Sequence, residues 1–217
     1  MKLICFPHYT CGGLLCDIFE QKFSSVRIDG GLRSFGHSIG KIGDSIDVYD
    51  DYDPAVFYKK ISEVDSNYSG CIGTHCHPGK IDLDQFNDVV LITTSTYRSK
   101  VYRWIRAYHH YFSVTEEWKK LQGIDRIDKQ RETAKNYIKP FNPVKHKNVT
   151  NIEFSDIVEN SENFQFLINK FDYAAHLDRW RQLNDFLYDT NLWWSAPVQR
   201  FHEAEFENNL NFSYRYE

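Results

Sequence analysis

The chain has 217 residues, of which 41% are hydrophobic and 16% aromatic, enough apolar surface for a core and too much for a disordered polymer. Its 26 basic and 30 acidic residues leave a net charge of −4, which argues against a general nucleic-acid or membrane-surface binder and makes any basic site local. No apolar run reaches the roughly 18 residues needed to span a bilayer, and five cysteines, an odd number, suit free thiols in a cytoplasmic protein better than a disulfide framework.

Leu3–Phe6 reads as a buried strand and Pro7–Gly13 as a small-residue loop. Leu14 to about Ser24 follows as a helix with Leu14, Leu15, Ile18, Phe19 and Phe23 along one side. Glycines 12 and 13 let the loop backbone come close to a ligand. The first unpaired N–H groups of the helix would favour an anion such as phosphate or sulfate. Residues 25–50 are rich in Gly and Ser with no sustained period, and read as a long irregular segment of the kind that forms lids.

Asp53-Pro54 opens a helix running to about Val64, with an acceptor at the cap and proline at the first helical position. A second strand, Gly70–Gly73, ends in Thr74-His75-Cys76-His77-Pro78-Gly79. The third strand, Asp88–Thr94, is the clearest, and the helix after it runs to about Phe112 with Val101, Trp104, Ile105, Tyr108 and Phe112 on its apolar stripe. Residues 114–147 are charged and predict helix in two pieces, closing at Pro140 and Pro143. A fourth strand is expected at Asn151–Phe154, then a helix with Phe164, Leu167, Ile168 and Phe171, then a last helix at about 175–189. From Asn191 on the sequence is aromatic and Asn-rich without a clear period.

Strands alternating with helices predict an α/β fold: one domain over residues 1–217, with a mainly parallel sheet flanked by helices. Ligands of such sheets gather beyond the carboxyl ends of the strands. The clusters Pro7–Gly13, Thr74–Gly79 and Thr93–Arg98 would then converge on one edge. An imidazole at His75 or His77 suits a general base at neutral pH. Arg98, in the first turn of its helix, is placed to grip a phosphate, whereas Arg103 and Arg106 lie further round and read as more solvated. Two look-alikes fail. The position six beyond Cys76, where a thiolate phosphatase needs Arg, is Asp82, and the adjacent Cys and His residues are poorly spaced to wrap a zinc ion. Nor does the first loop have the Gly-Lys-Ser/Thr ending of a nucleoside-triphosphate loop.

Taken in order, these clusters resemble the sulfotransferases that use 3′-phosphoadenosine-5′-phosphosulfate. Pro7-His8-Tyr9-Thr10-Cys11-Gly12-Gly13-Leu14 stands where that family has Pro-Lys-Ser-Gly-Thr-Thr, and Gly73-Thr74-His75-Cys76-His77-Pro78 where many members have Lys-Thr-His-x-Pro. Val89–Arg106 occupies the place of the strand, Arg and helical Ser that hold the 3′-phosphate, and Phe154-Ser155-Asp156 echoes a later Tyr-Glu-Asp. The resemblance covers about residues 1–172, and a divergent or microbial branch is the nearer comparison. His8 replaces the family's Lys or Arg, Thr94 replaces its Arg so that Arg98 must reach from the next turn, and Arg106 stands eight residues beyond Arg98 in place of Ser.

The resemblance implies a P-loop-NTPase-like sulfotransferase architecture and transfer of a sulfuryl group to a hydroxyl of a carbohydrate, lipid or small molecule. It implies His75 as catalytic base, with His8 and Thr10 near the leaving phosphate. His8, Tyr9, Thr10, Cys11, Gly12, Gly13 and Leu14 would hold the 5′-phosphosulfate, and Arg98 and Arg106 the 3′-phosphate. No metal is implied. Two other readings stay open: a non-catalytic nucleotide- or anion-binding relative, and a phosphoryl-transfer enzyme, for which Asp17 is the best acidic candidate for a magnesium ligand.

Overall fold

The computed structural model describes residues 2–10, 12, 15, 54–62, 71–110, 120–136, 141–159, 161–170 and 196–213. The expected lid at 25–50, the helix at 175–189, and Cys11, Gly13, Leu14 and Asp17 lie outside the described residues.

Four strands form one all-parallel sheet: β1 (Lys2–Cys5), β2 (Cys71–Thr74), β3 (Asp88–Thr93) and β4 (Val149–Glu153), in spatial order β2-β1-β3-β4. Leu3, Ile4 and Cys5 are wholly buried, as a central strand covered on both faces requires. Cys5 is in register with Thr74 on one side and Leu91 on the other. The chain steps from β1 to β2 in one direction and then crosses back to β3 and β4 in the other. The crevice between the ends of β1 and β3 is therefore the point where the winding reverses, the usual ligand seat of an open α/β sheet.

The helices are α1 (Pro54–Ser62), α2 (Tyr97–His110), α3 (Gly123–Asn136), α4 (Phe154–Val158), α5 (Glu162–Lys170) and α6 (Ala196–Ser213). One layer of the core joins Leu3, Cys5, Val89 and Leu91 to Phe57 of α1, with Ile72, Cys76, Phe86 and Phe141 around them. By strand alternation Ile4, Val90 and Ile92 serve the opposite face.

On α2 the expected stripe of Val101, Trp104, Ile105 and Tyr108 is buried. A second stripe, Ser99, Arg103 and Ala107, is buried too. The helix is thus enclosed on two sides, which corrects the expectation that Arg103 is solvated.

Helix α6 lies where the sequence shows no clear period. His202 and Phe206, four residues apart, are buried on one face. Phe206 meets the Trp104 ring edge-on at 5.9 Å, and Arg131 of α3 grips Glu205 through two nitrogens, at 2.6 and 2.8 Å. The strand ends differ by one or two residues from the sequence reading: β1 begins at Lys2 and β4 at Val149, with Phe154 already helical.

Candidate functional site at the carboxyl edge of the sheet

The chain leaves the sheet at Pro7, after the Phe6 N–H has extended the ladder by donating to Thr74 O (2.9 Å). It turns through His8 and Tyr9, and Thr10 closes the turn by donating its hydroxyl to Pro7 O (2.6 Å). That proton is spent, so Thr10 offers lone pairs and not the donor that a leaving phosphate would need. Tyr9 has φ +68°, a left-handed conformation that costs a non-glycine residue about 1–2 kcal/mol. Strain of this kind gathers where a loop is held in one shape for use.

Gly12 is helical, and a Cβ there would fall 1.9 Å from Cγ of the Phe6 ring. Its lack of a side chain makes room for Phe6. The Phe6 ring occupies that space.

His75 follows β2 and is 4% exposed. Its Nδ1 donates to Phe6 O at 2.7 Å; a carbonyl can only accept, so the neutral ring carries its proton on Nδ1 and its lone pair on Nε2. The Phe6 ring meets the His75 imidazole edge-on at 4.7 Å, and His8 stacks against it at 3.7 Å with the planes 40° apart. Two unit charges about 4 Å apart repel by about 4 kcal/mol at an effective dielectric of about 20.

His77, the other candidate base, has both nitrogens committed. Gly79 N–H donates to its Nδ1 (3.1 Å), so Nε2 holds the proton and donates to Asn142 O (3.1 Å). His77 therefore fastens its loop to Asn142, and His75 remains as the candidate base.

Arg103 spans the crevice. Its Nε donates to His8 O (3.0 Å) and its Nη1 reaches Thr94 Oγ1 (3.5 Å), with only 5% of the residue exposed. Of the three arginines on α2, this is the one that ties the end of β1 to the end of β3. Arg98 is directed elsewhere: its side chain is two-thirds exposed, and its Nε contacts Glu159 (2.5 Å) and Tyr102 Oη (3.2 Å). Arg106 is half-buried, its Nε without a hydrogen-bond partner among the described residues. Arg98 and Arg106 share no hydrogen-bond partner among the described residues.

The third polar cluster is closed from within. Glu153, ending β4 in register with Thr93, accepts from Thr93 Oγ1 (2.7 Å), from the Ser95 hydroxyl and N–H, and from the Thr96 N–H and hydroxyl (3.4 and 3.2 Å). A helix start that would attract an external anion thus holds a carboxylate of its own. Burial alone would push the Glu153 pKa up. The hydrogen bonds from Ser95, Ser99, Thr93 and the Thr96 backbone outweigh it and hold the group below the ordinary glutamate value.

Because the folded pKa is depressed, the stabilisation is complete above the ordinary glutamate range and is lost as pH falls through the lowered value. Glu153→Gln is expected to cost about 0.5–2 kcal/mol at pH 7, as loss of a helix cap does. In urea melts the gap between variant and wild type should narrow as pH falls below the ordinary glutamate range, and a gap that stays constant with pH contradicts the assignment.

Among the described residues no group of three or more His, Cys, Asp or Glu is placed to hold a metal ion, and no helix is long and apolar enough to cross a membrane. No family model matches the chain, and no match is found among curated proteins or solved structures.

Proposed function

We propose that the chain is a sulfotransferase of P-loop-like architecture, moving a sulfuryl group from 3′-phosphoadenosine-5′-phosphosulfate to a hydroxyl of a carbohydrate, lipid or small molecule. The observation that carries this reading is the hydrogen bond from His75 Nδ1 to Phe6 O, which leaves the lone pair of a buried imidazole on Nε2 at the ligand edge of the sheet. In this reading Nε2 takes the proton of the acceptor hydroxyl. The turn from His8, held by Arg103, receives the phosphosulfate end of the donor through its backbone N–H groups, and His8 faces the leaving phosphate. The buried thiols of Cys5 and Cys76, not joined in a disulfide, suit a cytoplasmic setting.

One observation favours a second reading. Glu153 already fills the start of α2, and Arg98 is spent on Glu159, an arrangement that fits a non-catalytic relative binding an anion only at the first loop.

Thermal denaturation with 3′-phosphoadenosine 5′-phosphate, against ATP with magnesium, separates the readings. The first ligand at a hundredfold excess over its dissociation constant should stabilise the fold by about 2.7 kcal/mol. A response to ATP with magnesium alone would point to phosphoryl transfer, and silence toward both would sink the transferase reading.

A further inference from the structure

The geometry points to His8 and His75 as a single proton-sharing pair, His8 the acid and His75 the base of the same turnover. The acid–base roles rest on the sulfuryl-transfer reading; the pairing rests on the ring contact alone. With ring centroids 3.7 Å apart, protonating one imidazole strongly disfavours protonating the other, so across the neutral range the pair holds one proton at most.

Burial places that proton. His75 is 4% exposed and already donates through Nδ1, and a charge there would be poorly solvated, whereas His8 is half-buried and better hydrated. Facing the pair are the Arg103 guanidinium from α2, anchored on the His8 carbonyl, and the Tyr9 ring from the first loop, 6.1 Å from that of His8. On the segment after β2, His77 is committed on both nitrogens, and the Cys76 thiol lies 4.0 Å from the His77 carbonyl. The neutral Thr94 comes from the end of β3. Arg103 adds positive charge and works against the second proton.

The transfer then balances within the pair. The acceptor oxygen forms its bond to sulfur while the bond from sulfur to the bridging phosphate oxygen breaks. The acceptor's proton passes to His75 Nε2, and His8 gives its proton to the phosphate that leaves. The pair begins and ends with one proton, moved from one ring to the other, and is never a double cation.

The test is a proton NMR titration of the histidine Cε1–H signals in the whole protein, wild type against His8→Gln and His75→Gln. In the wild type the two rings should take up protons in steps more than about 2 pH units apart, each ring's signal reporting both steps. In either variant the surviving ring should titrate once, well above the lower wild-type step. Wild-type midpoints equal to those of the single variants would overturn the pairing. Should a variant fail to fold, the wild-type curves decide alone: two independent titrations less than about 1 pH unit apart would refute it. A coupled titration in a protein that 3′-phosphoadenosine 5′-phosphate does not stabilise would support the pairing and remove the donor. Independent titration with ligand stabilisation would do the reverse.

Discussion

On the proposed transferase reading, replacing His75 with Gln should lower sulfuryl transfer by about 10²–10⁴-fold, the usual loss when a positioned base is removed. That is about 2.7–5.4 kcal/mol of transition-state stabilisation at 1.36 kcal/mol per tenfold. Gln is the informative choice because its amide can still donate to Phe6 O. Ala would leave that buried carbonyl unsatisfied, at about 1–3 kcal/mol of stability, and so confuse an unfolded protein with an inactive one. The matched control is His77→Gln. Its ring fastens Gly79 to Asn142, so the change should cost some stability and leave kcat within a few-fold of wild type. Rates with the phosphosulfate donor, taken alongside urea melts, give both readouts. A His75→Gln protein that transfers at the normal rate would remove His75 from the chemistry.

Gly12→Ala is expected to have the largest effect on stability of any single methyl in the loop. The added carbon would sit 1.9 Å from Cγ and 2.1 Å from Cδ1 of Phe6, well inside contact distance, so the ring must move. Overpacking of a closed site typically costs about 1–3 kcal/mol, and Phe6 has little freedom at 3% exposure. Function should fall with it, since Phe6 carries both the carbonyl that orients His75 and the ring against which His75 lies. Phe6→Leu makes room, so the double variant Gly12→Ala/Phe6→Leu should be less destabilised than the sum of the single changes. Strict additivity in urea midpoints would mean that Phe6 is not what excludes the methyl.

The edge on which the proposed chemistry stands was legible in the sequence because it follows from local patterns. Val89–Ile92 is continuously apolar, and α2 carries a clean 3.6-residue stripe, so a parallel sheet and a common edge for the loops after β1, β2 and β3 follow. The partners on that edge are set by register and were not legible. Glu153 reaches Thr93, Ser95 and Thr96 because β4 pairs with β3 over a separation of 60 residues, which no local period encodes.

Arg103 had a faint signal in Ser99, Arg103 and Ala107, a small-charged-small series at four-residue spacing that marks a close approach on a second helix face. Arg98 sits one turn earlier beside Tyr102, where Glu159 from the end of α4 claims it, and only the tertiary contact between α2 and α4 brings that carboxylate near. In α6, Phe201 beside His202 is half exposed, and the mixture of outward and inward rings hid the period.

The position of β1 also dictates a timetable for synthesis. Its two hydrogen-bonding neighbours begin at Cys71 and Asp88, which are 66 and 83 positions beyond Cys5. At about 5–20 residues per second, a ribosome needs roughly 4–17 s to deliver the second neighbour after the first strand has been made. Through that interval Leu3, Ile4 and Cys5 are a water-averse segment that lacks one or both of its neighbouring strands. Conditions that slow elongation between codons 6 and 90 should therefore raise the demand of the nascent chain for chaperones more than the same delay placed after Thr93.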